Sequence, residues 1–410
     1  MALLAAPDVR LRQVGRGARG RFPEPQRHKL FVLEAQRPQG GQVISFHRSS
    51  VRRRWTASAV GLVRGMPRFH VSPGQGGDAP LVHGWAWMNF TWFASAYDND
   101  DVTYRVVTLV QIAGVLILAA GVSRAFEDHD FLVVYLGYLV MRVALASQWL
   151  RAAHHASSAQ ERTMCRRYAG GVLTVQIGWL ALLFVPEGAQ PWVFLAMALA
   201  ELAVPVYAEK DAPSTWHPHH IAERYGLFTI IVLGESVAAA TVAVKSGVLE
   251  NDALNELLPI AAGGLLIVFA AWWIYFVVPA HDRLTDSRQG FLWGYGHYVI
   301  FASAAAIGAG LEIAVEQAVG KAHISTLAAA ASVTIPTAVF LLSVWLLHAR
   351  HFKVGLAQQA VLPGSALVIL LCSFAGRWAV LAAGLVAAAT VAVGVTLTAR
   401  TRATRTARPS

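Results

Sequence analysis

PIAAGGLLIVFAAWWIYFVVP, residues 259–279, runs for 21 residues without a charged side chain. As a helix rising 1.5 Å per residue, such a run is long enough to cross the roughly 30 Å hydrocarbon core of a bilayer. Ten further runs qualify or nearly do, at about 81–96, 104–122, 131–150, 169–186, 190–208, 222–244, 292–312, 326–347, 359–375 and 377–397. The first is short and carries His83 and Asn89. The sequence therefore predicts an all-α, polytopic integral membrane protein with about eleven transmembrane helices, its principal partner being the lipid bilayer.

Composition points the same way. Of 410 residues, 55% are hydrophobic and 14% charged, against roughly 25% charged in a soluble domain. Mean hydropathy is +0.47. This composition disfavours an ordinary cytosolic enzyme and rules out disorder over most of the length. Two cysteines, Cys165 and Cys372, cannot build a disulfide scaffold or a four-cysteine metal site. The net charge of +10 sits at the ends: residues 1–80 hold 14 Lys/Arg against 4 Asp/Glu, and 399–410 hold 4 Arg and no acid. Basic ends around an apolar body fit cytoplasmic anchoring rather than nucleic-acid binding. GRGARG at 15–20 matches a dinucleotide fingerprint only formally, since no strand precedes it and no helical pattern follows.

Loop charges orient the spans. Arg350 and Lys353, Arg283 and Arg288, Lys210, and Arg151, Arg162, Arg166 and Arg167 fall in alternate loops, while the loops between them hold only Lys245 and Lys321. The positive-inside rule places the basic C-terminus in the cytoplasm. Eleven spans then leave the basic N-terminus outside, so twelve are expected. WLRAAHH (149–155) resembles WLLHARH (345–351), and WAWMNF (85–90) resembles AWWIYF (271–276), in the same order along the chain. Six spans separate the matches, which predicts two parallel six-helix pseudo-repeats. The counterpart of the helix opening IAERYGLFTIIVLGES at Ile221 falls near 35–50, where AQRPQGGQVISFHRSS cannot span. The expected organisation is a basic, disordered or non-native extension over 1–80, a first membrane half over 81–208 lacking its first helix, a His-rich connection over 209–221, a second half over 222–397 and a basic cytoplasmic tail over 398–410.

WMNFTWFASAYDNDD (87–101), YLVMRVALASQWLRAA (138–153) and ELAVPVYAE (201–209) with WHPHHIAERYGLFTIIVLGES (216–236) resemble the bacterial low-temperature-requirement A (LtrA) family. The resemblance covers about 84–350 well and the last two helices loosely. It implies an integral membrane protein linked to growth at low temperature, without naming a reaction. Family members open with a Glu-Leu-Phe-Phe-Asp helix absent from this chain, so the segment before about residue 84 is expected not to be the native N-terminus.

Ionisable residues inside spans each cost about 2.5–3.5 kcal/mol on insertion scales. Glu235 lies 12 residues beyond Glu223, roughly 18 Å along a helix and hence near mid-bilayer. It shares a face with Arg224, Phe228 and Ile231. Its two readings are an ion or proton site and a pairing group for assembly. Arg142 and Glu201 also fall mid-span and are natural partners for each other or for Glu235. Asn89, Gln111, Gln148 and Gln176 read first as interhelical hydrogen-bonding groups and second as a polar pathway. Asp98, Asp100, Asp101 and Arg105 form an acidic cytoplasmic loop. His217, His219 and His220, with Glu223 beside them, offer a metal set, against an interfacial helix start as the plainer reading. No catalytic residue is assigned, since no Ser-His-Asp order, P-loop or haem-attachment motif occurs, and no cofactor is required. The leading expectation is secondary transport or permeation of a small ion or solute between the repeats. The alternatives are a membrane-embedded metal-binding enzyme or sensor on the three histidines, and a structural stress-adaptation protein. A homo-oligomer is compatible with all three.

Overall fold

A computed structural model describes residues 79–406 apart from 98, 128–129, 187, 252, 278–283, 285–286 and 354. The expectations for the N-terminal extension before residue 79 and for Asp98, Arg283 and Asp286 lie outside the described residues. Every regular element described is helical: α1 Ala79–Tyr97, α2 Val102–Glu127, α3 Leu132–His155, α4 Ala159–Ala181, α5 Gln190–Ala208, α6 Pro218–Asn251, α7 Leu254–Phe276, α8 Ser287–Ala318, α9 Thr326–Leu347, α10 Leu356–Leu371 and α11 Ala379–Thr406. Among the described residues, nine helical stretches are long and apolar enough to cross a bilayer, the last of them, Leu356–Arg400, holding both α10 and α11. The break between these two falls at Gly376, whose φ of 60° sits in the left-handed region within a 3₁₀ turn. A side chain with a Cβ is strained there, so glycine supplies the bend.

Polar residues at the connections fix the helix starts. Ser158 accepts the Glu161 amide at 3.1 Å while the Glu161 carboxylate folds back onto the Ser157 amide at 2.9 Å, which satisfies donors that the first turn leaves open. Ser325 does the same for α9 through the Ala328 amide at 3.2 Å. Pro218 opens α6, a position where its missing N–H is not needed. These caps correct two expected boundaries. The loop expected over 151–168 shrinks to residues 156–158, so Arg162, Arg166 and Arg167 ride on the first turns of α4. The helix expected over 222–244 extends to Pro218–Asn251, about 51 Å at 1.5 Å per residue, longer than a hydrocarbon core.

Helices α2 to α5 pack in chain order around one core, and α8 to α11 pack in chain order within a second that also takes in α6 and α7. Small residues permit the closest approaches. A Cβ on Gly137 would stand 2.3 Å from the Leu118 amide nitrogen, and one on Gly263 would stand 2.3 Å from the Val380 carbonyl oxygen. Backbones this near are what small-residue interfaces provide between helices that gain little from leaving lipid. Helix α1 departs from chain order and docks on α6 and α8, where Trp87 stacks on Phe228 with centroids 4.3 Å apart and the Trp92 indole N–H donates to the Tyr225 hydroxyl at 2.8 Å. Only 22%, 17% and 24% of the spanning windows of α2, α5 and α6 are buried. Their exposed Leu116, Leu199 and Ile231 form the outward apolar surface that acyl chains solvate.

Candidate functional site

Helix α3 buries Tyr138, Met141, Arg142, Leu145, Gln148, Trp149 and Ala152, spaced by three and four so that they form one stripe. Helix α5 buries little more than Glu201, Val204 and Ala208. The two stripes meet at an ion pair: Arg142 Nη2 lies 2.7 Å from Glu201 Oε1, with side chains 1% and 2% exposed. The Tyr138 hydroxyl donates to the same oxygen. The Trp179 indole N–H of α4 donates to Glu201 Oε2 at 2.8 Å. The guanidinium also rests over the Tyr138 ring, 5.4 Å from its centroid. Charges this deep attract strongly but lose their hydration, and the carboxylate keeps its charge affordable through three donors. Arg142 Nη1 has no partner among the described residues. Four residues after Glu201, Pro205 lies inside α5 and cannot donate to the Glu201 carbonyl. The Tyr295 hydroxyl of α8 donates to the adjacent Leu202 carbonyl at 3.2 Å.

Tyr295 and Pro205 also line a cavity of about 40 Å³. Its walls come from α1 (Asn89, Trp92), α3 (Trp149), α4 (Tyr168), α5, the 209–217 connection (Ser214) and α8 (Phe291). The cavity thus lies among α1, α3, α4, α5 and α8. Glu209, at the C-cap of α5, holds two of the lining hydroxyls: Tyr168 donates to its Oε1 at 2.7 Å and Ser214 to the same atom at 2.6 Å. Glu209 Oε2 is buried and has no partner among the described residues. A water needs roughly 10–15 Å³ of such space, so the cavity has room for a small, partly dehydrated ion.

Other expected residues fall elsewhere. Asn89 lines this cavity, while Gln111, Gln148 and Gln176 are buried in the first core. Gln148 donates to Thr108 at 3.4 Å. Both polar atoms of the Gln176 side chain lack a partner among the described residues. Asp100 pairs with Arg105 of α2 at 2.9 Å and Asp101 with Arg151 of α3, so each of these two carboxylates faces an arginine. The Arg105 guanidinium holds the Asp100 carboxyl below the usual carboxylate range. Asp101 caps α2 by accepting from the Tyr104 amide at 2.8 Å, and that bond holds its carboxyl down, with Arg151 adding to it.

Glu235 lies apart from the buried pair. It faces outward on α6 beside Ile231, which is 64% exposed, and forms no ion pair among the described residues. Arg142 and Glu201 pair with each other, so neither serves as its partner. Glu223 is likewise exposed and Arg224 half-buried. His217, His219 and His220 are exposed at the start of α6. Among the described residues no three His, Cys, Asp or Glu side chains converge, so the expected metal set does not assemble. The rings of His217 and His220 lie 5.4 Å apart, as residues three apart on a first helical turn do.

Two features escaped the sequence reading. Glu209 was hidden at a span end, where an acid reads as solvated. His297 and His348 are buried within and at the end of apolar spans, and Tyr275 meets His297 at 3.0 Å. The rule that singled out Glu235, an ionisable side chain inside an apolar run, applies equally to His297.

Residues 81–399 match the family model described as bacterial low temperature requirement A protein (LtrA). The chain is also similar to an uncharacterized protein of Rhizobium meliloti (strain 1021), 23% identical over 241 residues, which make up 53% of this chain and 55% of that protein. It thus spans about half the length of that curated relative. No solved structure matches it.

Proposed function

This chain belongs to the bacterial low temperature requirement A family, and we propose that it is a multi-pass membrane protein that passes a small cation between its two helical halves, by secondary transport or permeation. The carrying observation is the cavity among α1, α3, α4, α5 and α8, with the Glu209 carboxylate on two of its lining hydroxyls. Carboxylate and hydroxyl oxygens replace the hydration of a hard cation, and the faces of Trp92, Trp149 and Phe291 favour positive charge over negative. The buried Arg142–Glu201 pair is a positioning element: it locks α3 to α5 beside the cavity. A parallel repeat accords with the shared chain-order packing of α2–α5 and α8–α11, and sites in such repeats lie where the halves meet. Location in the bacterial inner membrane with a cytoplasmic C-terminus accords with Arg400, Arg402 and Arg405 at the end of α11 and with Arg350 and Lys353 before α10.

Flux into proteoliposomes, measured for a panel of monovalent cations, tests this reading. The full chain should carry at least one of them above empty vesicles, and Glu209→Gln should lower that flux at least tenfold while eluting normally in detergent. No flux for any cation, or flux indifferent to Glu209→Gln, overturns the proposal.

A further inference from the structure

Tyr275 of α7, His297 of α8 and His348 after α9 meet at one point inside the second half, with His297 and His348 0% and 2% exposed. His297 Nδ1 lies 2.7 Å from the Trp293 carbonyl oxygen. A carbonyl only accepts, so Nδ1 carries the ring proton and Nε2 offers one lone pair. Two groups aim at that lone pair: the Tyr275 hydroxyl at 3.0 Å and His348 Nε2 at 3.2 Å. One lone pair cannot serve two donors well, and His348 Nδ1 has no partner among the described residues. Hydrogen bonding alone therefore leaves this cluster over-committed on one side and unsatisfied on the other.

We infer that His297 Nε2, His348 Nε2 and the Tyr275 oxygen form a binding site for a divalent transition metal of the zinc class. Ligands about 2.0–2.1 Å from a tetrahedral ion stand roughly 3.3 Å from one another, and the 3.0 and 3.2 Å separations match that bite. The bond from His297 to a backbone carbonyl is the outer contact that orients metal-bound imidazoles. Trp293 packs on His297 with centroids 3.9 Å apart, and Tyr225 packs edge-on at 5.0 Å, which holds the ring in place and keeps water off. On binding, the Tyr275 hydroxyl gives its proton to solvent, and the His348 proton sits on Nδ1 so that Nε2 can coordinate. Three protein ligands leave a fourth position open. The ion would tie α7, α8 and the end of α9 together. This site is independent of the Glu209 cavity and of the exposed His217–His220 cluster.

Cobalt(II) is the probe, titrated into the full chain in detergent after chelator treatment, with zinc competition and elemental analysis. The expected result is one equivalent per chain with the visible bands of a tetrahedral ion, displaced by zinc. Affinity should fall at least tenfold in Tyr275→Phe and in His348→Gln. His219→Gln should match the parent. Zinc should raise the parent's Tm and leave that of His348→Gln unmoved, a readout that separates loss of metal from loss of fold. A chain that binds no cobalt, or binding unchanged in both Tyr275→Phe and His348→Gln, overturns the inference.

Discussion

Removing both members of the buried pair should cost far less than the sum of removing each alone. Glu201 is held by Arg142, Tyr138 and Trp179, so Arg142→Met leaves its carboxylate buried with two donors. Arg142 has Glu201 as its ion-pair partner and already carries an unpartnered Nη1, so Glu201→Gln strands a buried cation. Stranding one charge of a buried pair costs about 3–5 kcal/mol. We expect about 3 kcal/mol for Arg142→Met, where two donors remain, and about 4–5 kcal/mol for Glu201→Gln. In the double variant the Gln amide oxygen still accepts from Trp179 or Tyr138, and Met fills the guanidinium space. Its loss should be about 2–4 kcal/mol, giving a favourable coupling of at least about 3 kcal/mol in the cycle. Reversible unfolding in mixed micelles, followed by far-ultraviolet circular dichroism, measures all four proteins. Single losses under about 1 kcal/mol, or a double loss equal to their sum within about 0.5 kcal/mol, would refute the reasoning.

Gly263→Ala should destabilise by about 1–3 kcal/mol, because its Cβ meets the backbone of α11 at Val380, whereas Gly234→Ala meets nothing within 4 Å and should stay within about 0.5 kcal/mol; thermal melts in detergent read the contrast. Glu235→Gln should change unfolding stability in the same micelles by no more than about 0.5 kcal/mol, since no ion pair is lost among the described residues, and a loss above about 2 kcal/mol would reveal a partner for it. Asp100 and Asp101 have folded pKa values below the unfolded carboxylate value near 3.9. Their contribution is therefore complete above that value and fades as pH falls through the folded ones. Protection of the Tyr104 and Arg105 amides, taken relative to the intrinsic exchange rate at each pH, should fall below about pH 4, and Asp101→Asn should remove that acid sensitivity at Tyr104.

Much of the helical order was legible because it depends on quantities carried by short stretches. Length and apolarity marked the runs, and the break before 377 follows from one glycine. Caps were less legible. The sequence reading stopped α4 short at 169, since Arg162–Arg167 look like a loop to a hydropathy count, yet Ser158 and Glu161 nucleate the helix ten residues earlier. Arg142 and Glu201 stood out because a charge in lipid needs a reason.

What the sequence could not supply was partnership. Helical spacing says which residues share a face, and nothing in it says which face meets which. Arg142 and Glu201 are 59 positions apart, His297 and His348 are 51 apart, and Glu235 had as good a claim on Arg142 by depth alone. The rotation of each helix decides the matter, and it is fixed where backbones come within contact, as at Gly137 on Leu118 and Gly263 on Val380. Those contacts turn Arg142 inward toward α5, while α6 turns Glu235 away. The sequence by itself determined that the chain is a set of apolar helices with a few ionisable groups too costly to be idle. Only the tertiary structure decided which of them meet, because apolarity sums along the chain whereas pairing depends on the relative rotation of helices distant in it.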